Sequence, residues 1–194
     1  SVLKALQAVG PTGSVTGADI APPLIARAAT RTADQPNAAF LTGDAQTFSF
    51  EAAKYDAVIS LFGMMFFADP AAAFANIRKA LRPGGRITFV AWAGRQHNPW
   101  FALPRKAVET VLGDMPSPKA GAPGPMAFAD GEWVTGLLGD AGWKDASASS
   151  FDSYLTPPGS AAETAEMLYS VGPSSDLMRA KGVDQIALLE QPRH

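Results

Sequence analysis

Two acids stand where short apolar runs give way to turns. Asp19 closes the run inside GSVTGADIAPPLIARA, and Asp44 follows Gly43 after AAFLT. An ionised carboxylate presents two acceptor oxygens, enough to hold two neighbouring sugar hydroxyls or the amine of a base. Asp19 could hold a ribose in this way, or cap a helix starting at about Pro22, which needs the same residue type in the same place. Asp44 could accept from an exocyclic amine such as adenine N6, or serve as an ordinary turn residue. Ile20 and Phe48, beside the two acids, could sandwich a flat base or simply pack. In SLFGMMFF, residues 60–67, a glycine and two methionines lie among aromatic residues. That composition suits adaptable apolar pockets and equally suits cores. His97, in RQHNPWF, is the only histidine besides His194 and could carry a proton near neutral pH.

The elements that must position these residues are legible to different degrees. Val2, Leu3, Leu6 and Val9 have helical spacing with no cap before them, and Gly10, Pro11 and Gly13 form a turn. Val15 to Ala18 reads as a strand. A helix from about Pro22 carries Leu24, Ile25 and Ala28 on one face, and Ala39 to Leu41 reads as a second strand. Tyr55 to Phe62 is a nearly continuous apolar run, which predicts a parallel strand covered on both faces. Asp69 as N-cap, Pro70 at the first helical position, and a stripe of Phe74, Ile77 and Leu81 specify the next helix. Pro83-Gly84-Gly85 is expected to stop it, and Arg86 to Ala93 to form the next strand.

Beyond Gly94 the composition shifts toward proline and glycine. A helix fits at about Trp100 to Leu112, followed by the long loop MPSPKAGAPGPMAFAD, the kind that serves as a lid or binding loop. A helix from about Gly131 to Ala141 follows, capped by Asp130, with Trp133, Val134, Leu137 and Leu138 on its buried face. A polar strand from about Lys144 to Leu155 and a tail helix bearing Met167, Leu168 and Val171 complete the expected order. Strands alternating with helices predict an α/β fold with a mostly parallel sheet. Ligands of such sheets bind outside the C-terminal strand ends. Asp19, Gly43 to Gln46, and Ser60 to Phe67 all lie at such ends.

The bulk properties narrow the function. The chain has 194 residues, 47% of them hydrophobic, and a net charge of −2 with no basic run. That is ordinary globular composition and points away from nucleic acid as a main partner. With no cysteine, disulfides and thiolate metal sites are excluded, and two distant histidines give no metal-ligand spacing. No apolar run is long enough to span a bilayer, and the N-terminus has no signal pattern. A cytoplasmic location is expected. GxxxxGK[ST] and GxSxG are both absent, so neither that phosphate loop nor a nucleophile elbow is present.

Four stretches in order across roughly residues 10–93 carry a family resemblance: GSVTGADIAPPLIARA, FLTGDAQTFSF, YDAVISLFGMMFFADP and ALRPGGRITFVAW. Together they resemble the class I S-adenosylmethionine-dependent methyltransferases, in particular the methyltransferase type 11 branch, which is similar to ubiquinone/menaquinone-biosynthesis methyltransferases. The resemblance implies a Rossmann-like, mostly parallel sheet with helices on both faces, S-adenosylmethionine as cofactor, and a small-molecule methyl acceptor. It implies that Asp19 binds the cofactor ribose and that Ile20 lies against adenine. Asp44 and Ala45 would sit at the adenine edge, and Ser60 and Leu61 beside the methionine part. Met64, Met65, Phe66 and Phe67 would face the substrate. Leu81 to Gly85 would be a structural turn. His97 could serve as a base if the acceptor must lose a proton, or be an exposed loop residue. Residues 94–130 and about 157–194 are expected to form a substrate cap on a single domain.

One departure is large. The family's first strand and its D-x-G-x-G-x-G loop have no counterpart here, and no clear last strand follows Leu155. Without that first strand, its two neighbours lose their shared partner, leaving unpaired backbone groups that are unfavourable when buried. The sequence is therefore expected to be part of a longer polypeptide. Two other functions remain open on the residues alone. One is an oxidoreductase of the NAD type that uses Asp19 on the ribose. The other is a non-catalytic binding protein on a degenerate methyltransferase scaffold.

Overall fold

A computed structural model describes residues 1–114, 121–154, 156, 159–160, 162–164 and 167. The elements are α1 (Val2–Val9), β1 (Val15–Asp19), α2 (Pro22–Arg31), β2 (Ala38–Thr42), β3 (Tyr55–Leu61), α3 (Pro70–Ala80), β4 (Leu81–Val90), α4 (Pro99–Leu112) and α5 (Gly131–Asp140). Short 3-10 turns lie at Met64–Phe66 and Arg95–His97. The described residues fall into two compact units. One is Ser1–Trp92 with Gly121–Ala148, and the other holds the remainder.

In the first unit β1 pairs in parallel with β2, from Val15 beside Ala38 to Asp19 beside Thr42. β3 pairs in parallel with β4 and ends with Leu61 beside Val90. Among the described residues β1 and β3 share no ladder, so the strands form two parallel pairs. That is the arrangement expected when no strand lies between them. α1 and α2 pack on the first pair. The side-chain amide of Asn37 donates to the carbonyls of Gly10 and Gly13, at 3.2 and 2.8 Å, and so fixes the α1–β1 turn.

α3 is specified locally. Asp69 Oδ1 accepts from the Ala72 N–H at 2.9 Å, and Pro70 lies in the first turn, where its missing N–H leaves no bond unmade. Ala73, Phe74, Ile77 and Ala80 form its buried face. The core joins Met64, Met65, Phe74 and Ile77 to Phe128, Val134 and Leu138. The ring of Phe74 lies 5.5 Å from that of Phe89 and 5.9 Å from that of Phe128. α5 is capped by Asp130, which accepts from the N–H groups of Glu132 and Trp133, and Val134 and Leu138 are its buried residues. The Trp143 indole N–H donates to the Phe74 carbonyl at 3.2 Å and ties the chain after α5 to α3.

Three expectations are corrected. Pro83-Gly84-Gly85 does not stop α3. The helix ends at Ala80, and residues 82–85 form an irregularity inside β4, where the register jumps from Tyr55–Leu81 to Ala57–Arg86. Gly84 takes φ 81°, which glycine adopts without strain, and a Cβ on Gly85 would meet the Arg82 carbonyl at 2.9 Å. Asp56 and Arg82 form an ion pair across this bulge.

β3 is also not covered on both faces by the described residues. Val58, Ile87 and Phe89 pack against the core, while Ile59 and Leu61 on the opposite face are 52% and 55% exposed. Finally, residues 144–154 form no strand. Their composition is rich in serine, and Asp145 takes a left-handed φ of 56°, which interrupts an extended run. The expected helix around Leu168 and Val171 lies outside the described residues, as do residues 115–120 of the long loop and His194. Residues 121–130 of that loop belong to the first unit.

The second unit contains the Arg95–His97 turn and α4. The Asn98 side chain donates to the carbonyls of Ala93 and Gly94 at 2.8 and 3.0 Å. Arg105 Nε lies 2.7 Å from Glu109 Oε1 one helical turn on, and Val108 is buried.

Candidate functional site

The C-terminal strand ends of the first unit bring the expected residues together in part. Asp19 ends β1. Its Oδ1 accepts from the Ala21 N–H at 2.8 Å and shapes the entry to α2, whose N-cap residue is Ala21. Its Oδ2 has no hydrogen-bond partner among the described residues. One oxygen therefore does the turn work, while the other is open to a ligand. Ile20 beside it is 68% exposed, an unusual amount for an isoleucine next to a strand end.

The Gly43 N–H donates to the Asp19 carbonyl at 3.0 Å, so the turn after β2 sits directly beside the end of β1. In that turn Asp44 Oδ1 accepts from the Gln46 N–H at 2.9 Å, and the Asp44 carbonyl accepts from Thr47 and Phe48. Asp44 thus repeats the pattern of Asp19, with one carboxylate oxygen in its own turn. Phe48 packs on Gly43, where a Cβ would come within 2.5 Å of its ring, and tilts against Phe50 at 4.9 Å. Its role is packing.

The turn is anchored from α3. The Asn76 amide donates to the carbonyls of Ala45 and Phe48 at 3.0 and 2.8 Å. Gln46 Oε1 accepts from the Asp69 N–H at 2.9 Å. No spacing in the sequence pointed to the Asn76 side chain or to that of Gln46. The available signal was an asparagine in the interior of a helix next to Phe74 and Ile77, a position asparagine disfavours without a specific bond to make.

At the end of β3, Ser60 Oγ accepts from the Gly63 N–H at 3.3 Å, and Leu61 is exposed. Phe62 then adopts φ 61°, an outlier for a bulky residue. Its N–H donates to the Val90 carbonyl, and its ring stacks on Trp92 at 4.4 Å. Of the four residues expected to face substrate, Met64 and Met65 are buried at 7% and 1% exposure and belong to the core. Met65 Sδ accepts from the Trp92 N–H, and its carbonyl from the Gly124 N–H, so it is held on both sides. Phe66 is exposed and Phe67 partly buried. His97 lies exposed in the second unit. Its N–H donates to Gly94, and its ring has no hydrogen-bond partner among the described residues. Nearby, burial lowers the Arg95 pKa from its ordinary value, the Arg105 charge adds to the effect, and Glu109 opposes it.

Comparison with known proteins agrees with the resemblance. The methyltransferase-domain family matches residues 1–89. Over that stretch the chain is similar to the class I S-adenosylmethionine-dependent methyltransferases. An uncharacterized protein of Mycobacterium tuberculosis is 31% identical over 128 residues, 66% of this chain and 44% of that protein. The demethylmenaquinone methyltransferase of Staphylococcus aureus is 35% identical over 81 residues, 42% of this chain and 34% of that enzyme. The chain thus spans less than half the length of these curated relatives. An S-adenosylmethionine-dependent methyltransferase from Aquifex aeolicus shares the fold with a TM-score of 0.52 at 16% identity, over 72% of this chain and 64% of that one. The fold is accordingly the Rossmann-like α/β fold of this family, and the family's cofactor is S-adenosylmethionine. Among the described residues no helix is long and apolar enough to cross a membrane.

Proposed function

We propose that the protein transfers the methyl group of S-adenosylmethionine to a small-molecule acceptor in the cytoplasm. One observation carries this reading: Asp19 ends β1 and Asp44 lies in the turn after the neighbouring β2, each with one carboxylate oxygen engaged in its own turn. The remaining oxygens suit the ribose hydroxyls and the adenine N6 amine. Exposed Ile20 would lie against the base, Ala45 at its edge, and Ser60 and Leu61 beside the methionine part. Phe66 and Phe67 would meet the acceptor, with Met64 and Met65 supporting them from the core.

The bound cofactor supplies an activated methyl group. What the chain contributes is orientation, which turns an encounter between two molecules into a positioned displacement, and an apolar surround that excludes water. Calorimetric titration with S-adenosylhomocysteine, NAD and adenosine tests the assignment. Tightest binding of S-adenosylhomocysteine supports it, and tighter binding of NAD, or no binding of S-adenosylhomocysteine, overturns it.

His97 is proposed as the base for an acceptor that must lose a proton. A general base contributes about 100- to 10,000-fold. His97→Ala should therefore reduce kcat by at least about 100-fold. Full turnover by that variant removes the role.

A further inference from the structure

A run of hydrogen bonds joins the turn after β2 to the start of α3. The Gln46 N–H donates to Asp44 Oδ1, the Asp69 N–H donates to Gln46 Oε1, and the Ala72 N–H donates to Asp69 Oδ1, each at 2.9 Å. Asn76 clamps the same turn from α3 through the carbonyls of Ala45 and Phe48. One end of the run is a carboxylate expected to meet the cofactor. The other end is the N-cap of the helix that directly follows Met64–Phe66 and Phe67, the acceptor side of the site. The segment between holds a strained residue, Phe62 at φ 61°, and an exposed aromatic, Phe66 at 56%. Phe62 is fixed by its bond to Val90 and its stack on Trp92, and Met64 and Met65 lie in the core, so the stretch of this segment with a second arrangement within reach is the more exposed one from Phe66 to Asp69.

We infer that Gln46 and Asn76 are positioning residues that couple the cofactor turn to the acceptor segment, so that cofactor binding orders residues 66–69 before the acceptor arrives. The inference rests on the proposed cofactor reading. Asn76 sets the geometry, since its single amide nitrogen holds two carbonyls of the turn. Gln46 transmits, since its backbone reports the state of Asp44 while its side chain holds Asp69. Coupling of this kind is reciprocal, so an acceptor that orders the segment also tightens cofactor binding.

The test is the exchange rate of the Asp69 amide, read by NMR with and without S-adenosylhomocysteine. In the unaltered protein the ligand should slow that exchange by about fivefold or more, at the lower end of typical allosteric coupling. Gln46→Glu, which keeps an acceptor oxygen, should retain the slowing. Gln46→Met, similar in shape but without that oxygen, should lose it while still binding the ligand. Asn76→Leu leaves the Ala45 carbonyl without a donor, takes one of two donors from the Phe48 carbonyl, and should weaken ligand binding by about tenfold. Binding with no change at Asp69, or unchanged slowing in Gln46→Met, overturns the coupling while leaving the cofactor reading intact. Failure of the unaltered protein to bind S-adenosylhomocysteine overturns both.

Discussion

Asp19→Asn lowers affinity for S-adenosylhomocysteine by roughly 10- to 100-fold and leaves the ligand-free protein folded. The substitution separates two jobs done by one side chain. Asparagine keeps an acceptor oxygen for the Ala21 N–H, so the entry to α2 is preserved. What is lost is the negative charge and the second acceptor. Hydrogen bonds to charged groups contribute about 1.5–3 kcal/mol, which brackets the expected weakening. Asp19→Ala removes both jobs and should weaken binding at least as much while also lowering Tm. Calorimetry with thermal melts of ligand-free and ligand-bound protein checks the pair. A loss of affinity in Asp19→Ala but not in Asp19→Asn would assign the residue to the turn alone.

Phe74→Ala has the largest expected effect on stability. The ring is fully buried and packs against those of Phe89 and Phe128, which also meet each other at 5.9 Å, with α5 packed beside α3. Truncating a buried phenylalanine destabilises by about 3–5 kcal/mol, from lost transfer free energy and the cavity left behind. Against a typical total of about 5–15 kcal/mol, the folded fraction becomes marginal. Urea denaturation should show a midpoint shifted strongly down with an unchanged slope. Phe74→Leu, which fills most of the space, should recover the larger part. A shift below about 1 kcal/mol for Phe74→Ala would mean that the three rings do not form one packed cluster.

What the sequence disclosed follows the range of the forces involved. The start and buried face of α3 were legible because its cap at Asp69, Pro70 and its apolar stripe act within a few residues of one another. The ends of β1 and β2 were legible for the same reason, and so the positions of Asp19 and Asp44 were right. Pro83-Gly84-Gly85 misled because the same residues serve a helix stop and a strand bulge, and only pairing with Asp56 and Ala57 distinguishes them. Met64 and Met65 have the composition of a pocket wall. They lie in the core because Phe128, Val134 and Leu138, far along the chain, close over them. The open face of β3 was hidden for a related reason: an apolar run permits cover on both faces but does not supply it. The roles of the Gln46 and Asn76 side chains were missed because an amide shows its purpose only once its partners are in place.

The first unit is assembled from two stretches of chain separated by residues 93–120. Three of the seven core side chains, Phe128, Val134 and Leu138, come from the later stretch. During synthesis the apolar face of α3 is therefore complete well before its cover exists. At about 5–20 residues per second, that interval is on the order of several seconds. Until it ends, Phe74, Ile77 and the two methionines lack the cover of Phe128, Val134 and Leu138 and are open to association with other chains. Shortening the protein to end before Gly121 should yield a sticky, poorly soluble product even though every strand of the first unit is present. The stretch from Gly121 to Ala148 thus acts as the lid of the core, and its arrival sets the pace at which the nascent chain becomes safe from aggregation.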